Sequence, residues 1–423
     1  MWIAPRLRAA DSGSPSEKLN VACIGVGGRG HEDLKGVAGE NIVALVDVDG
    51  NTLGKAAAEF PKARTFKDYR RMLDAVGKEI DAVVVGTPDH THAPATLAAL
   101  RAGKHVYCEK PLTHTVAEAR LVAQTTAKHK RVTQMGTQVH AQSNYRRVVE
   151  LLQAGAIGTV RRVHTWVNTS YHGGDRPKDT PAAPEGLDWD LWIGPAPMRP
   201  YHKAYHPFWW RGWWDFGGGA LADMACHHMD LPHWALGLRH PVTVAAQGPE
   251  DHPEASPRWL IVDYEYAARP GDIAHGGGPG VHLTWYHGGK RPPEFENGTI
   301  PEAHRNWGGG NLFIGDEGML LADYGKHVLL PQEKFSDYKR PAATIPDSIG
   351  HHREWVEACK ADAFGQTTCN FDYSGALTET VLLGNVAYRI GKKLEWDALK
   401  LKATNAAEAD AFVTKAYRKG WEL

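Results

Sequence analysis

Over the first third of the chain, short apolar runs alternate with stretches of helical periodicity. Leu19–Ile24 reads as a buried strand, and a helical pattern begins after Gly25–Gly30. Ile42–Val46, Asp81–Val85, His105–Cys108 and Arg131–Met135 repeat the theme, with helical stretches over Gly54–Phe60, Tyr69–Val76, Ala93–Ala102 and Ala117–Lys128. Strands that are apolar on both faces and separated by helices predict a parallel sheet covered on both sides. A helix over Tyr145–Ala154 ends this regime, and two-residue alternation takes over. Val160–Val167, Val242–Ala246, Trp259–Ala267, Val281–Tyr286, Asn311–Ile314, Gly318–Tyr324 and His327–Leu330 read as strands of one large open mixed or antiparallel sheet. Helices return over His351–Lys360 and Ser374–Ile390, the second expected to pack back on the first domain.

This pattern divides the chain into an extension over 1–19, a nucleotide-type α/β domain over 20–140 and a second α/β domain over 141–423. With 48 basic against 49 acidic residues there is no electrostatic footprint for nucleic acid, and neither nucleic acid nor membrane is expected as a partner. No apolar run reaches the roughly 20 residues that span a bilayer. The five cysteines form no Cys-x-x-Cys pair and read as reduced core residues.

The first chemical signal lies between the opening strand and helix, where Gly25-Val26-Gly27-Gly28-Arg29-Gly30 has the spacing G-x-G-x-x-G. In that context the glycines permit a tight turn, and a pyrophosphate can rest against the helix N-terminus. Asp47, ending the second strand, stands where a carboxylate binds ribose hydroxyls. No arginine follows it, so NAD is favoured over NADP. Thr87-Pro88 and His92, then Glu109-Lys110-Pro111, follow strand ends where open α/β sheets bind ligands, and Gln138 follows the last strand. Lys110 in such a mouth can stabilise alkoxide character on a substrate hydroxyl.

The second signal is Phe216–Asp230. Asp223 and His227, four apart on a helix behind Gly217–Gly219, share one face, so the carboxylate is expected to orient the imidazole and hold its pKa near or above the ordinary 6.5. Upstream, the proline- and tryptophan-rich stretch Tyr171–Trp214 is expected to wall a substrate pocket, with Tyr171, His172, Trp209, Arg211, Trp213 and Trp214 meeting a sugar ring. A metal at His227, His228, Asp230 and His233 is disfavoured, because consecutive helical histidines point about 100° apart. The other histidines, His90, His140, His206 and His351 among them, read as surface or hydrogen-bonded core residues.

Gly25-x-Gly27-x-x-Gly30, Thr87-Pro88-x-x-x-His92, Glu109-Lys110-Pro111 and Asp223-x-x-x-His227, in this order, resemble the Gfo/Idh/MocA oxidoreductases. Asp188–Pro195 and the Trp-Arg-Gly-Trp-Trp segment resemble a branch often exported by a twin-arginine signal, which would make 1–19 a signal stub and the location periplasmic; otherwise it is cytoplasmic. The resemblance implies a Rossmann NAD(P)-binding domain, a C-terminal α/β domain whose open sheet joins a homo-oligomer (dimer or tetramer), and NAD-dependent oxidation of a sugar, glycoside or cyclitol. Lys110, His227 and Asp223 would be catalytic. Gly25, Gly27, Gly28, Arg29, Gly30, Asp47, Thr87, Pro88, His92, Glu109 and Gln138 would meet the cofactor. Ala225 replaces the glycine usual two residues after the aspartate. The alternative within this resemblance is a redox-neutral glycosidase that oxidises its substrate transiently; a non-catalytic binding protein would have no use for Lys110 and His227.

Overall fold

A computed structural model describes residues 17–271 and 277–423. Most of the expected N-terminal extension, residues 1–16, lies outside the described residues.

The first domain is a six-stranded sheet in the order β3-β2-β1-β4-β5-β6. Its opening half runs β1 (Asn20–Ile24), α1 (Arg29–Gly36), β2 (Asn41–Val46), α2 (Gly50–Glu59), β3 (Arg64–Phe66) and α3 (Tyr69–Val76). The second half runs β4 (Ala82–Val85), α4 (Asp89–Arg101), β5 (His105–Cys108), α5 (Val116–His129) and β6 (Thr133–Met135). All its strand pairs are parallel. β4 is buried at every residue, as strands covered on both faces must be. Strand order reverses between β1 and β4, which opens a crevice at the strands' carboxyl ends. α2 begins earlier than its apolar spacing suggests because the Asp49 carboxylate caps Asn51 N–H, and α5 starts on a Thr115/Glu118 capping box.

The second domain continues with α6 (Ser143–Gln153), β7 (Val160–Trp166), α7 (Trp189–Ile193), α8 (Gly219–His228) and α9 (Asp230–Leu236). β8 (Thr243–Gln247), β9 (Leu260–Tyr266), β10 (Val281–His287), β11 (Gly310–Gly315), β12 (Met319–Ala322) and β13 (His327–Leu330) follow. The chain closes with α10 (His351–Lys360), α11 (Phe371–Ile390), β14 (Leu394–Asp397), β15 (Lys402–Ala403) and α12 (Asp410–Val413). The nine-stranded sheet is ordered β13-β12-β11-β7-β10-β9-β8-β14-β15 and is mixed, since β10 pairs parallel with β7 and antiparallel with β9. Three short strands, β3, β14 and β15, carry too few residues for alternation to reveal them.

α11 is buried along most of its length between the two domains, and the Arg120–Glu379 ion pair ties it to α5. α8 packs against α11 at the crevice mouth, which sets Asp223 and His227 opposite the strand ends of the first domain.

Candidate active site

The site is a cleft of about 940 Å³ running from the glycine loop to α8. Gly25 sits at φ +78°, and a Cβ there would lie 2.9 Å from the Gly86 carbonyl. At Gly30 a Cβ would meet the Gly25 oxygen at 2.0 Å, so α1 packs against the strand ends only because both positions lack side chains. Gly30 therefore acts through packing and does not line the cleft, whereas Gly25, Gly27 and Gly28 do. A Cβ on Gly28 would find nothing within 4 Å, leaving an open cradle above the start of α1.

Asp47 closes this cradle from below. Its carboxylate accepts from Val26 N–H at 2.9 Å and from Asp49 N–H at 2.9 Å, which ties the glycine loop to the end of β2. Asp47, Asp49 and Asp68 all face this end of the cleft, and the nearby Lys67 ammonium donates to the Gly186 carbonyl. A 2′-phosphate would meet carboxylates here, whereas ribose hydroxyls would find acceptors.

Further along, Glu109 is buried and accepts from Arg29 Nε at 3.0 Å, Gln138 Nε2 at 2.6 Å and Lys110 N–H at 3.1 Å. Burial and the neighbouring Asp33 push its carboxyl up to about 7. The network fixes the backbone of Glu109-Lys110, and so the root of the lysine.

Lys110 Nζ donates to Asp223 Oδ1 at 2.7 Å and to the Asp223 carbonyl at 3.0 Å. Arg211 Nε donates to the same Oδ1 at 3.1 Å, and its guanidinium lies over the Trp210 ring at 4.2 Å. Burial opposes ionisation of Asp223, but the two cations outweigh it and hold the carboxyl down at about 2. Burial would lower Lys110 too; Asp223 and Glu109 reverse the sign and hold it above its ordinary value. Lys110 is thus an ammonium at neutral pH, able to donate into the cleft.

His227 corrects the expectation drawn from the i, i+4 spacing. The Asp223 carboxylate turns to Lys110 and Arg211, and His227 Nδ1 has no hydrogen-bond partner among the described residues. Burial drives its pKa well below 6.5, Lys110 pushes the same way, and Asp223 opposes without prevailing. A flexible cation from the loop after β5 hydrogen-bonds the carboxylate in place of the ring on the same helix face. The imidazole is neutral at pH 7 and free to accept a proton.

Several expected contacts fall elsewhere. His92 is buried in α4 with both ring nitrogens against carbonyls, Pro111 at 2.7 Å and Thr87 at 2.6 Å, so it braces two loops and does not reach the cofactor cradle. His172 hydrogen-bonds weakly to Ser170 and lies off the cleft, as does Trp209, which is exposed. Trp213 and Trp214 turn into the packing beneath the insertion, their indole N–H groups donating to Ala204 and His252 carbonyls. Tyr171 and Arg211 do line the cleft, joined by Trp192, His206, Phe208 and Trp210. His206 is therefore a wall residue, where sequence had it as surface or core. The sequence marked the aromatic segment, but only the packing of α7 and the turn at Trp209–Gly212 decides which rings face inward.

Two further wall residues escaped sequence reasoning. Asp89, directly after Thr87-Pro88, is buried beside the Lys110–Asp223–Arg211 cluster; burial and Asp223 push it up to about 8. Trp421 reaches the cleft from the C-terminal tail, clasped by Arg70 at 4.1 Å, and no local pattern signals it.

The residues that the sequence offers as metal ligands on α8 and α9 are dispersed: His228 bonds to Tyr324, His233 to the Met229 carbonyl and Tyr266, and Asp230 to His140 and Tyr373. His140, Asp230 and Cys369 do gather, fully buried, but the Asp230 carboxylate is already satisfied by His140 at 2.9 Å and Tyr373 at 2.7 Å. All five cysteines are buried thiols.

A glycine-loop crevice with Lys110 at its mouth, facing Asp223 and His227 on a second α/β domain, defines a nucleotide-dependent oxidoreductase architecture. Residues 19–137 match an oxidoreductase family with an NAD-binding Rossmann fold, and residues 144–305 match the C-terminal alpha/beta domain of the same family. The chain belongs to this family, the Gfo/Idh/MocA oxidoreductases. Inositol 2-dehydrogenase 1 of Saccharopolyspora erythraea is 37% identical over 152 residues, which cover 34% of this chain and 44% of that relative. The chain spans about half the length of the curated relatives it matches. The fold is shared with the WlbA dehydrogenase of Bordetella pertussis in complex with NADH and UDP-GlcNAcA (TM-score 0.62, 17% identity, covering 90% of this chain and 99% of that one). It is shared also with an inositol dehydrogenase homolog of Azotobacter vinelandii complexed with NADH and myo-inositol (TM-score 0.57, 17% identity, covering 90% of this chain and 98% of that one).

Proposed function

We propose that the protein is an NAD-dependent dehydrogenase that oxidises a secondary hydroxyl of a cyclitol, sugar or glycoside. The observation that carries this reading is the Lys110 ammonium, paired with Asp223, set in the same cleft as a neutral His227 and the glycine cradle. Gly25, Gly27, Gly28, Asp47, Thr87 and Pro88 would hold the dinucleotide, whose bound nicotinamide supplies the hydride acceptor. Lys110 donates to the substrate oxygen and stabilises the alkoxide character that develops as the hydroxyl proton leaves, before hydride loss converts it to a carbonyl. His227 accepts the hydroxyl proton, which its depressed pKa permits at neutral pH by keeping it unprotonated. Arg211 and Asp223 fix Lys110, while Phe208, Trp210 and Tyr171 bring ring faces suited to the apolar side of a polyol and exclude water. Inositol 2-dehydrogenases among the relatives support a cyclitol as the first substrate to try.

The proposal includes a homo-oligomer joined through the open face of the large sheet, where β9 alternates buried and half-exposed residues. The test follows NADH absorbance and aglycone release together for cyclitols, free sugars and aryl glycosides. NADH formed from a polyol supports the dehydrogenase. Aglycone release without NADH would replace it by redox-neutral glycoside cleavage.

A further inference from the structure

Apart from the cleft, a second cavity of about 280 Å³ lies where the C-terminal segment, α11 and the start of α8 meet. Its walls include Trp214, Gly217, Asn385, Arg389, Phe412 and Lys415. None of these lines the cleft.

Arg389 is the unusual group. Its guanidinium lies 4.2 Å from the Phe412 ring centroid and 4.9 Å from that of Trp214. Nε is buried without a partner, and among the described residues no acceptor hydrogen-bonds to any nitrogen of this side chain. The carboxylates that influence it are Asp251, Asp215 and Glu254. Asp215 and Glu254 are engaged by Arg199, and Asp251 Oδ1 is itself buried without a partner. An arginine packed against two aromatic rings at a cavity wall, with no acceptor on its nitrogens among the described residues, can present its donors to a planar or tetrahedral oxyanion.

The remaining charges in the cavity are balanced. Lys415 pairs with Glu118 at 2.9 Å and also approaches the His90 carbonyl and His114 Nδ1. Burial, reinforced by Lys415, holds His114 well below 6.5, so it is neutral. Arg389 remains the cavity's cation that no carboxylate hydrogen-bonds among the described residues, although Asp251 acts on it from nearby and Asp215, held by Arg199, lines the same cavity. The space around it exceeds that of a bare ion. Asn385, whose amide donates to the Gly218 carbonyl at 2.9 Å, and His114 supply polar groups beside it for hydroxyls.

We propose that this cavity is a binding site, separate from the active-site cleft, for a small hydroxylated anion whose carboxylate or phosphate head group is held by the Arg389 fork. The proposal does not rest on the dehydrogenase reading.

Calorimetric titration of the full-length protein with glucuronate, glucose 6-phosphate and inorganic phosphate tests it, using wild type, Arg389→Met, Arg389→Lys and Lys110→Met. The expected result is binding of at least one sugar anion by wild type and by Lys110→Met. Arg389→Met weakens it about tenfold or more, and Arg389→Lys, which keeps the charge but loses the fork, weakens it to an intermediate degree. The head group is identified by whichever anion binds more tightly. NAD titration and circular dichroism confirm that each Arg389 variant is folded; should Arg389→Met fail to fold, Arg389→Lys carries the comparison. Three outcomes overturn the proposal: no anion binds, the folded Arg389 variants bind as wild type does, or Lys110→Met abolishes binding and so places the anion in the cleft.

Discussion

Replacing Asp223 by Asn removes the charge that holds two cations at one point. The Asp223 side chain is 8% exposed, and its Oδ1 receives both Lys110 and Arg211. Moving its carboxyl from 3.8 to about 2 is worth about 2 kcal/mol, at about 1.4 kcal/mol per pH unit. The Asn variant also leaves Lys110 and Arg211 facing each other without the carboxylate between them, which raises the expected loss to about 2 to 3 kcal/mol at pH 7. The sign of the pH dependence follows from a folded value below the unfolded one. The carboxylate's contribution is fully present above about pH 4 and disappears as pH falls through about 2. The gap between wild type and Asp223→Asn should therefore narrow to about half by pH 3. Urea unfolding of both proteins at pH 7 and pH 3 measures it. Equal stability at pH 7, or a gap that stays constant, would refute the assignment of Asp223 as the counter-ion of Lys110 and Arg211.

Other consequences follow from the same site. Lys110→Met and His227→Asn should each lower kcat by a factor of about 10² or more while NAD binding persists, as read by steady-state rates and by cofactor titration. Asp47→Ser removes the acceptor at the end of β2, and the NAD-over-NADP preference should fall about tenfold, measured as a ratio of dissociation constants. Asp89 ionises as pH rises through about 8 and adds a second anion beside Lys110, so activity should decline there. An Asp89→Asn variant should hold its rate to higher pH, and identical profiles would exclude Asp89 from the cluster's charge balance.

Much of the fold was legible because its signals are local. Apolar runs such as Val83–Val85, a glycine hexapeptide between strand and helix, and alternation in β9 each follow from a few neighbouring residues. Asp223, His227, Lys110 and Arg211 were legible as chemistry through their positions at strand ends and on one helix face. Their pairing was not. Lys110 lies 113 positions from Asp223, and only tertiary packing shows that the lysine, not the histidine, takes the carboxylate. The tryptophans failed for a similar reason. Trp210 faces the cleft and Trp213 the packing beneath it, although both sit in one aromatic run. Trp421 reaches the cleft because Arg70 and Arg418 hold the tail in place, a contact spanning nearly the whole chain.

The most direct test of the central claim is hydride transfer itself. The protein is incubated with NAD and a cyclitol or sugar deuterated at its secondary carbons, and the nicotinamide product is read by mass spectrometry. The account predicts reduced cofactor carrying one deuterium, formed by wild type and strongly diminished in Lys110→Met and His227→Asn. Deuterium-free cofactor, or equal label with both variants, would contradict it.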